Sequence, residues 1–355
     1  MKCDNFSTAI QGRGHIKDNI VCQDKVYSLT KNNVSAIALS DGAGSARLSH
    51  FGANCVTQNI CAYLCEHFNE LYNNDDGLKI KQDVLDFLLE KLDTEQEKLN
   101  CEKKDLSCTL LFVAICDNRF IIGHIGDGVI SYINKDKEFK AISCEDKEGE
   151  ANLTIFVTSK YALNDMRLFK GELKGILGFV LFSDGSQVSL YNRHKNIFAK
   201  SLDNIFKFYE KYGSYKKGRK KLRELLKNYC LNTLRKNTSD DCSINFLFVR
   251  QEQEFKQVLS LKERLEIFKK CKKLEPTLKR MHKAIKNNSP LYYQKLLKEI
   301  NENNATHLSK KQMLEINKPN KELELISKRM QKVANNNCPH CALKFLKEMT
   351  KNYNE

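Results

Sequence analysis

The first forty residues alternate between short apolar runs and polar breaks. Residues 25–29 and 34–39 carry β-branched and apolar side chains on either side of Lys31-Asn32-Asn33, and residues 1–41 as a whole predict three short strands. From 44 to 72 the period changes. Val56, Ile60, Leu64, Phe68 and Leu71 recur at three- and four-residue steps, the stripe of a helix laid on a core. A second amphipathic helix is predicted over 78–100, with Ile80, Val84, Leu88, Leu92 and Leu99 near one face. Two long helices in succession predict a hairpin covering one face of a sheet.

Strand patterns return over 106–142. Residues 108–116 are apolar without alternation, which predicts a strand buried on both faces. Residues 120–125 and 129–133 are further strands around the turn Asp127-Gly128, and 153–158 and 176–182 add two more. Helical stretches are predicted near 195–210 and 219–236, and 243–249 is a last strand. The order of strands, two helices, strands, two helices and a final strand gives an α+β fold with sheets at the centre and helix pairs outside.

Composition divides the chain at about residue 250. Of a net charge of +15 over 355 residues, residues 251–355 hold 23 Lys and Arg against 12 Glu and no Asp. All 16 Gly precede residue 251, and all four Pro (Pro276, Pro290, Pro319, Pro339) follow it. Two domains are therefore expected, 1–250 and a basic helical region 251–355, in which Pro276 and Pro290 sit where helices could begin. No run of 18 apolar residues and no signal-peptide pattern occurs. With 14 scattered cysteines, the expectation is a cytoplasmic chain with reduced thiols and no membrane contact.

Candidate chemistry gathers at three strand ends. Ser40-Asp41-Gly42, Gly126-Asp127-Gly128 and Ser183-Asp184-Gly185 each close an apolar run with an aspartate and a glycine. Alone, any one of them is more often just a turn. Brought together, they would offer oxygen ligands without His or Cys nearby, a set that selects Mg²⁺ or Mn²⁺ over zinc. Two such ions about 3.5–4 Å apart activate water and bind a phosphate between them. The chain has no Gly-x4-Gly-Lys-Ser/Thr phosphate loop and no cysteine followed six positions later by arginine. ATP hydrolysis of the phosphate-loop type and thiol-phosphatase chemistry are thereby disfavoured.

Together with Gln23-Asp24 and Asp240-Asp241-Cys242-Ser243, these motifs, in this order, resemble those of PP2C-type metal-dependent protein phosphatases over residues 5–250. Gly-x-x-His followed by Gln-Asp, and Asp-Gly-Ala-Gly-Ser, resemble a divergent bacterial branch. The resemblance implies an α-β-β-α sandwich of two antiparallel sheets, a Mn²⁺ or Mg²⁺ cluster at the sheet ends, and phosphoserine or phosphothreonine proteins as substrates. It implies that Asp41 bridges two ions, that Gly42 offers its carbonyl, and that Asp184 and Asp240 ligate the second ion. Asp24 would hold metal-bound water, Asp127 with Asp184 a weaker third ion, and Asp241 would stand behind the ligands. Where the family has a phosphate-gripping arginine and a glutamate, this chain has Asn19 and Gln23. Arg13, His15 and Lys17 lie just upstream, and His15 is the favoured substitute, with Arg13 second.

Bland readings stand beside several of these. Asp127 reads also as a hairpin residue, His15 as a surface histidine, and His124, inside an apolar run, as a satisfied core residue. Cys338-Pro339-His340-Cys341 has redox or zinc spacing but no second pair, and His307 or Cys271 would have to complete a site. Two functions follow. One is a monomeric phosphatase opposed to a Ser/Thr kinase. The other is a non-catalytic regulator that binds phosphoprotein or nucleic acid through the basic tail.

Overall fold

The apolar runs that lack alternation become the central strands of two five-stranded antiparallel sheets. The computed structural model describes residues 2–144, 154–213 and 215–250, which fall in the first of two compact units, Met1–Glu252. The expected region 251–355, with Cys271, His307, Cys338 and Cys341, lies outside the described residues, as does residue 153.

In chain order the elements are β1 (Cys3–Ile10), α1 (Arg13–Lys17), β2 (Lys25–Lys31), β3 (Val34–Ser40), α2 (Ser49–Asn73) and α3 (Gly77–Leu99). Then come β4 (Leu110–Cys116), β5 (Arg119–Ile125), β6 (Val129–Asn134), β7 (Phe139–Cys144), α4 (Ala162–Asp165), β8 (Arg167–Glu172) and β9 (Ile176–Phe182). The rest are α5 (Asp184–Leu190), β10 (Tyr191–Asn192), β11 (Ile197–Phe198), α6 (Lys200–Tyr212), α7 (Lys216–Asn232) and β12 (Cys242–Val249). One sheet runs β1-β12-β9-β6-β7 and the other β2-β3-β4-β5-β8. The hairpin β10-β11 stands apart.

The layers follow from side-chain alternation. In β3, Ile37 and Leu39 point between the sheets, where they meet Leu111, Val113, Phe179, Leu181 and Leu247. The alternate residues Ala36 and Ala38, with Phe112 and Ala114, face outward under Ile60, Leu64, Phe68, Leu88 and Leu92 of α2 and α3. Small side chains on that face let the long helix sit close to the sheet. On the opposite side Leu202, Phe206, Leu222 and Leu226 of α6 and α7 cover Phe6, Val180, Phe246 and Phe248. The result is the expected α-β-β-α sandwich. Among the polar groups that tie the two sheets, buried Asn245 in β12 donates from Nδ2 to the carbonyls of Tyr27 and Ala38 in the other sheet, both at 3.0 Å.

The pattern and the structure differ in several places; the predicted helix near 195–210, for one, begins only at Lys200, after the hairpin strand Ile197–Phe198. Helix α2 starts at Ser49 rather than near 44, because 42–47 form a turn that Ala43 N anchors to the Ser107 carbonyl at 2.9 Å. Residues 154–158 form loop and turn, not a strand. The edge strand is instead β8, whose half-exposed Arg-Leu-Phe-Lys-Gly-Glu carries little apolar signal. Helix α1 spans five residues, too few to show a period. Among the described residues, no helix is long and apolar enough to cross a membrane.

Candidate active site

Strand register assembles the carboxylates. Lys25 pairs with Ser40, so Asp24 just before β2 lies beside Asp41 just after β3. Ile244 pairs with Phe182, so Asp184 after β9 and Asp240 before β12 meet at the end of the other sheet. One carboxylate oxygen each from Asp41, Asp184 and Asp240 lies within 4.8 Å of the other two. These three line a cleft of about 200 Å³ together with Asp127, His15, Gln23, Gly42, Thr109 and Thr154, and none of the residues lining it is Lys or Arg.

Backbone and hydroxyl contacts hold the carboxylates in place. Thr109 brackets Asp41: its Oγ1 accepts from Asp41 N at 3.0 Å and its N donates to the Asp41 carbonyl at 2.8 Å. Ser183 Oγ donates to Asp24 Oδ2 at 2.8 Å, while the buried Oδ1 of Asp24 has no hydrogen-bond partner. Thr154 Oγ1 donates to Asp127 Oδ2 at 2.9 Å. Glycines permit close approach: a Cβ on Gly185 would sit 2.1 Å from the Asp241 carbonyl oxygen, and one on Gly12 2.2 Å from that of Asp240.

The electrostatics are those of a site short of positive charge. Burial, then the charges of Asp24, Asp184 and Asp240, raises the Asp41 pKa well above the ordinary carboxylate range. Burial, then Asp241, pushes Asp24 up to about 7. Asp240 is raised by burial and then by Asp184. Carboxylates gathered away from water repel one another unless a cation joins them. His124, expected as a core residue, is fully buried, and burial lowers its pKa to about 3.

Asp241, next to Asp240 but absent from the cleft lining, turns out to be a tie. Its carboxylate is 1% exposed. It accepts from Gly12 N and from Gln23 N, each at 2.6 Å, and His15 Nδ1 approaches it at 2.9 Å. His15 thus reaches the cleft from α1 with its Nδ1 turned toward Asp241. Arg13 is exposed, does not line the cleft, and donates from Nε to the Thr238 carbonyl at 3.1 Å.

Asn19 has a structural reason to be what it is. It takes a left-handed φ of 56°. Ile20 N donates to the His15 carbonyl at 2.8 Å and Asn19 N to the Ile16 carbonyl at 3.4 Å, the paired bonds that close a helix on a left-handed residue. Asn and Gly suit that conformation and arginine does not. Asn19 is also exposed and outside the cleft lining. We expect Asn19→Arg to leave any turnover in the cleft within about twofold and to lower stability by about 1 kcal/mol. Chemical unfolding and steady-state assays measure both, and a large gain in turnover would show that the side chain does reach the phosphate.

Asp41, Asp184 and Asp240 therefore converge at one end of the sandwich, Asp127 and His15 line the same cleft, and Asp24 lies beside Asp41 but outside the lining. Thr109, Thr154 and the tying role of Asp241 went unseen in the sequence, since each depends on partners far away along the chain.

A sandwich of this layering with an acidic cleft at the sheet ends is the arrangement that the resemblance in the sequence implied. The family model of protein phosphatase 2C matches residues 11–227, more than half of the chain, and the chain belongs to that family. It is a protein phosphatase. Among solved structures, a bacterial serine phosphatase is 15% identical with a TM-score of 0.50, covering 71% of this chain and 100% of its own. The serine/threonine phosphatase Stp1 from Staphylococcus aureus is 15% identical with a TM-score of 0.47, covering 71% of this chain and 96% of its own. The S. agalactiae serine/threonine phosphatase is 16% identical with a TM-score of 0.45, covering 70% and 100%. No curated protein matches the sequence.

Proposed function

We propose that the chain removes phosphate from phosphoserine and phosphothreonine on proteins, opposing a Ser/Thr kinase, with Mn²⁺ or Mg²⁺ held in the cleft. The observation that carries this is the convergence of Asp41, Asp184 and Asp240 within 4.8 Å in a cleft lined by no Lys or Arg. The donor set fits the group. It is all oxygen, as hard divalent cations prefer, and the raised pKa values of Asp24 and Asp41 mark charge that a cation would neutralise. Asp41, Asp184, Asp240 and the Gly42 carbonyl would hold two ions, with Asp24 behind Asp41, and Asp127 with Asp184 a third. When bound, such ions lower the pKa of water and offset the charge of a phosphoryl group.

The chain's own groups do the rest. Thr109 fixes the backbone of Asp41 so that its carboxylate is presented rather than searched for. His15, oriented through Asp241, is the contact for a substrate phosphate that Asn19 cannot supply, and Arg13 is the second candidate. No nucleophilic side chain is needed.

The test is phosphate release from a phosphoserine peptide by the purified full chain, with and without Mn²⁺, against Asp41→Ala. Mn²⁺-dependent release that Asp41→Ala loses is the expected outcome. Release no greater than that control sinks the reading.

A further inference from the structure

The crossover between the two sheets, where β5 leads into β6 through Gly126-Asp127-Gly128, is held at more points than a turn requires. Gly126 and Gly128 take φ of 91° and 89° on either side of Asp127, a conformation that glycine adopts without strain. Three further side chains then grip the turn's backbone. His124 Nε2 pairs with the Asp127 carbonyl at 3.0 Å. A carbonyl only accepts, so the ring proton sits on Nε2, and Nδ1 of the neutral ring accepts from Ser143 Oγ at 2.8 Å. Arg167 donates from one terminal nitrogen to the Gly126 carbonyl at 2.6 Å and from the other to the Cys144 carbonyl at 2.5 Å. Asp165 accepts from Gly126 N at 3.1 Å.

The placement of these groups is specific. His124 in β5 and Arg167 in β8 are neighbours in one sheet, His124 pairing with Arg167 across the ladder. Ser143 and Cys144 end β7 in the other sheet. Each of the two residues therefore bonds both to the Asp127 turn and to the facing sheet. Asp184 follows β9 of that facing sheet. A buried imidazole and a half-buried guanidinium cost desolvation that an apolar pair would avoid. What they supply in return is a fixed position for Asp127 relative to the two sheets.

We infer that His124 and Arg167 are positioning residues, a clasp across the two sheets that sets Asp127 against Asp184 so that the pair can hold its own, weaker-bound divalent cation. This rests on the reading of the cleft as a cation site.

The test is calorimetric titration of the full chain with MnCl₂, alongside thermal unfolding, for wild type, His124→Leu and His124→Gln. The leucine variant is expected to weaken the weakest class of Mn²⁺ site by about ten- to hundredfold, the usual effect of losing a group behind a ligand, while the tightest class is unchanged. Glutamine, which can return an N–H near the Nε2 position, is expected to restore the weak class. A lowered Tm with an unaltered Mn²⁺ isotherm would mean that His124 only stabilises the fold, and overturns the inference alone. Wild type that binds no Mn²⁺ overturns both the inference and the cation reading. If His124→Leu does not fold, Arg167→Gln at its partly exposed position is read by the same criteria.

Discussion

Asp41→Asn is expected to abolish the Mn²⁺-dependent phosphate release proposed for the cleft and, in the absence of metal, to make the protein more stable. Asp41 is the residue whose pKa feels Asp24, Asp184 and Asp240 together. Removing its charge relieves three repulsions at once. The amide that replaces it also brings a donor next to Asp24, whose buried Oδ1 has no hydrogen-bond partner. The loss in rate is at least about 10²–10³-fold, the range for deleting one group aimed at developing charge. The pH dependence has a definite sign. Asp24 sits at about 7 in the folded chain against an ordinary value of 3.8, and Asp41 is raised as well. Their contribution to stability is complete below about 4 and is lost as pH rises through about 7. In EDTA, the Tm of the wild type therefore falls between pH 5 and 8, that of Asp41→Asn falls less, and Mn²⁺ restores the wild type alone. Scanning calorimetry at a series of pH values measures all of this. A metal-free Asp41→Asn less stable than wild type at pH 8 would contradict the picture of a repulsive cluster.

The same cluster shows what could be read from the chain. Residues 34–39 and 108–116 declared themselves as central strands because burial on both faces leaves no polar position to break the run. Asp41 and Asp184 stood out because each ends such a run and precedes glycine. The edge strand β8 gave no such signal, since Arg167, Lys170 and Glu172 keep part of it in water or bind backbone carbonyls. Helix α1 was too short for periodicity, so the reason for Asn19, a left-handed closing residue, was hidden. The ties of Asp241 link Gly12 and Gln23 to a residue more than 200 positions away. Nothing local in the sequence encodes that contact. It follows only once β1 pairs with β12, Ile10 opposite Cys242. What was legible was the set of carboxylates that line the cleft, and what was not was the set that holds them still.

Asp241→Ala is expected to cost about 2–5 kcal/mol of folding stability and most of the activity, although Asp241 does not line the cleft. Two backbone N–H groups, those of Gly12 and Gln23, point at its two carboxylate oxygens from buried positions. Each donor left without a partner costs about 1–3 kcal/mol. Gly12 packs against the backbone of Asp240 with no room for a Cβ, so letting it shift moves a cleft carboxylate. Gln23 precedes Asp24, and His15 loses the group its Nδ1 faces. One effect runs the other way: the Asp241 charge raises the Asp24 pKa, and its removal eases that repulsion. That relief is smaller than the loss of two buried hydrogen bonds to a charged acceptor, which carry about 1.5–3 kcal/mol each. Asp241→Asn keeps one acceptor but turns an N–H toward the other donor, so it falls between alanine and wild type. Urea unfolding and steady-state kinetics on a phosphopeptide separate this residue from Asp41. Asp41→Asn lowers kcat in a fold made firmer, whereas Asp241→Ala lowers the unfolding midpoint and raises KM as His15 is set loose. An unfolding free energy within about 0.5 kcal/mol of wild type, the range of ordinary surface changes, would show that the two loops are held by something other than this carboxylate.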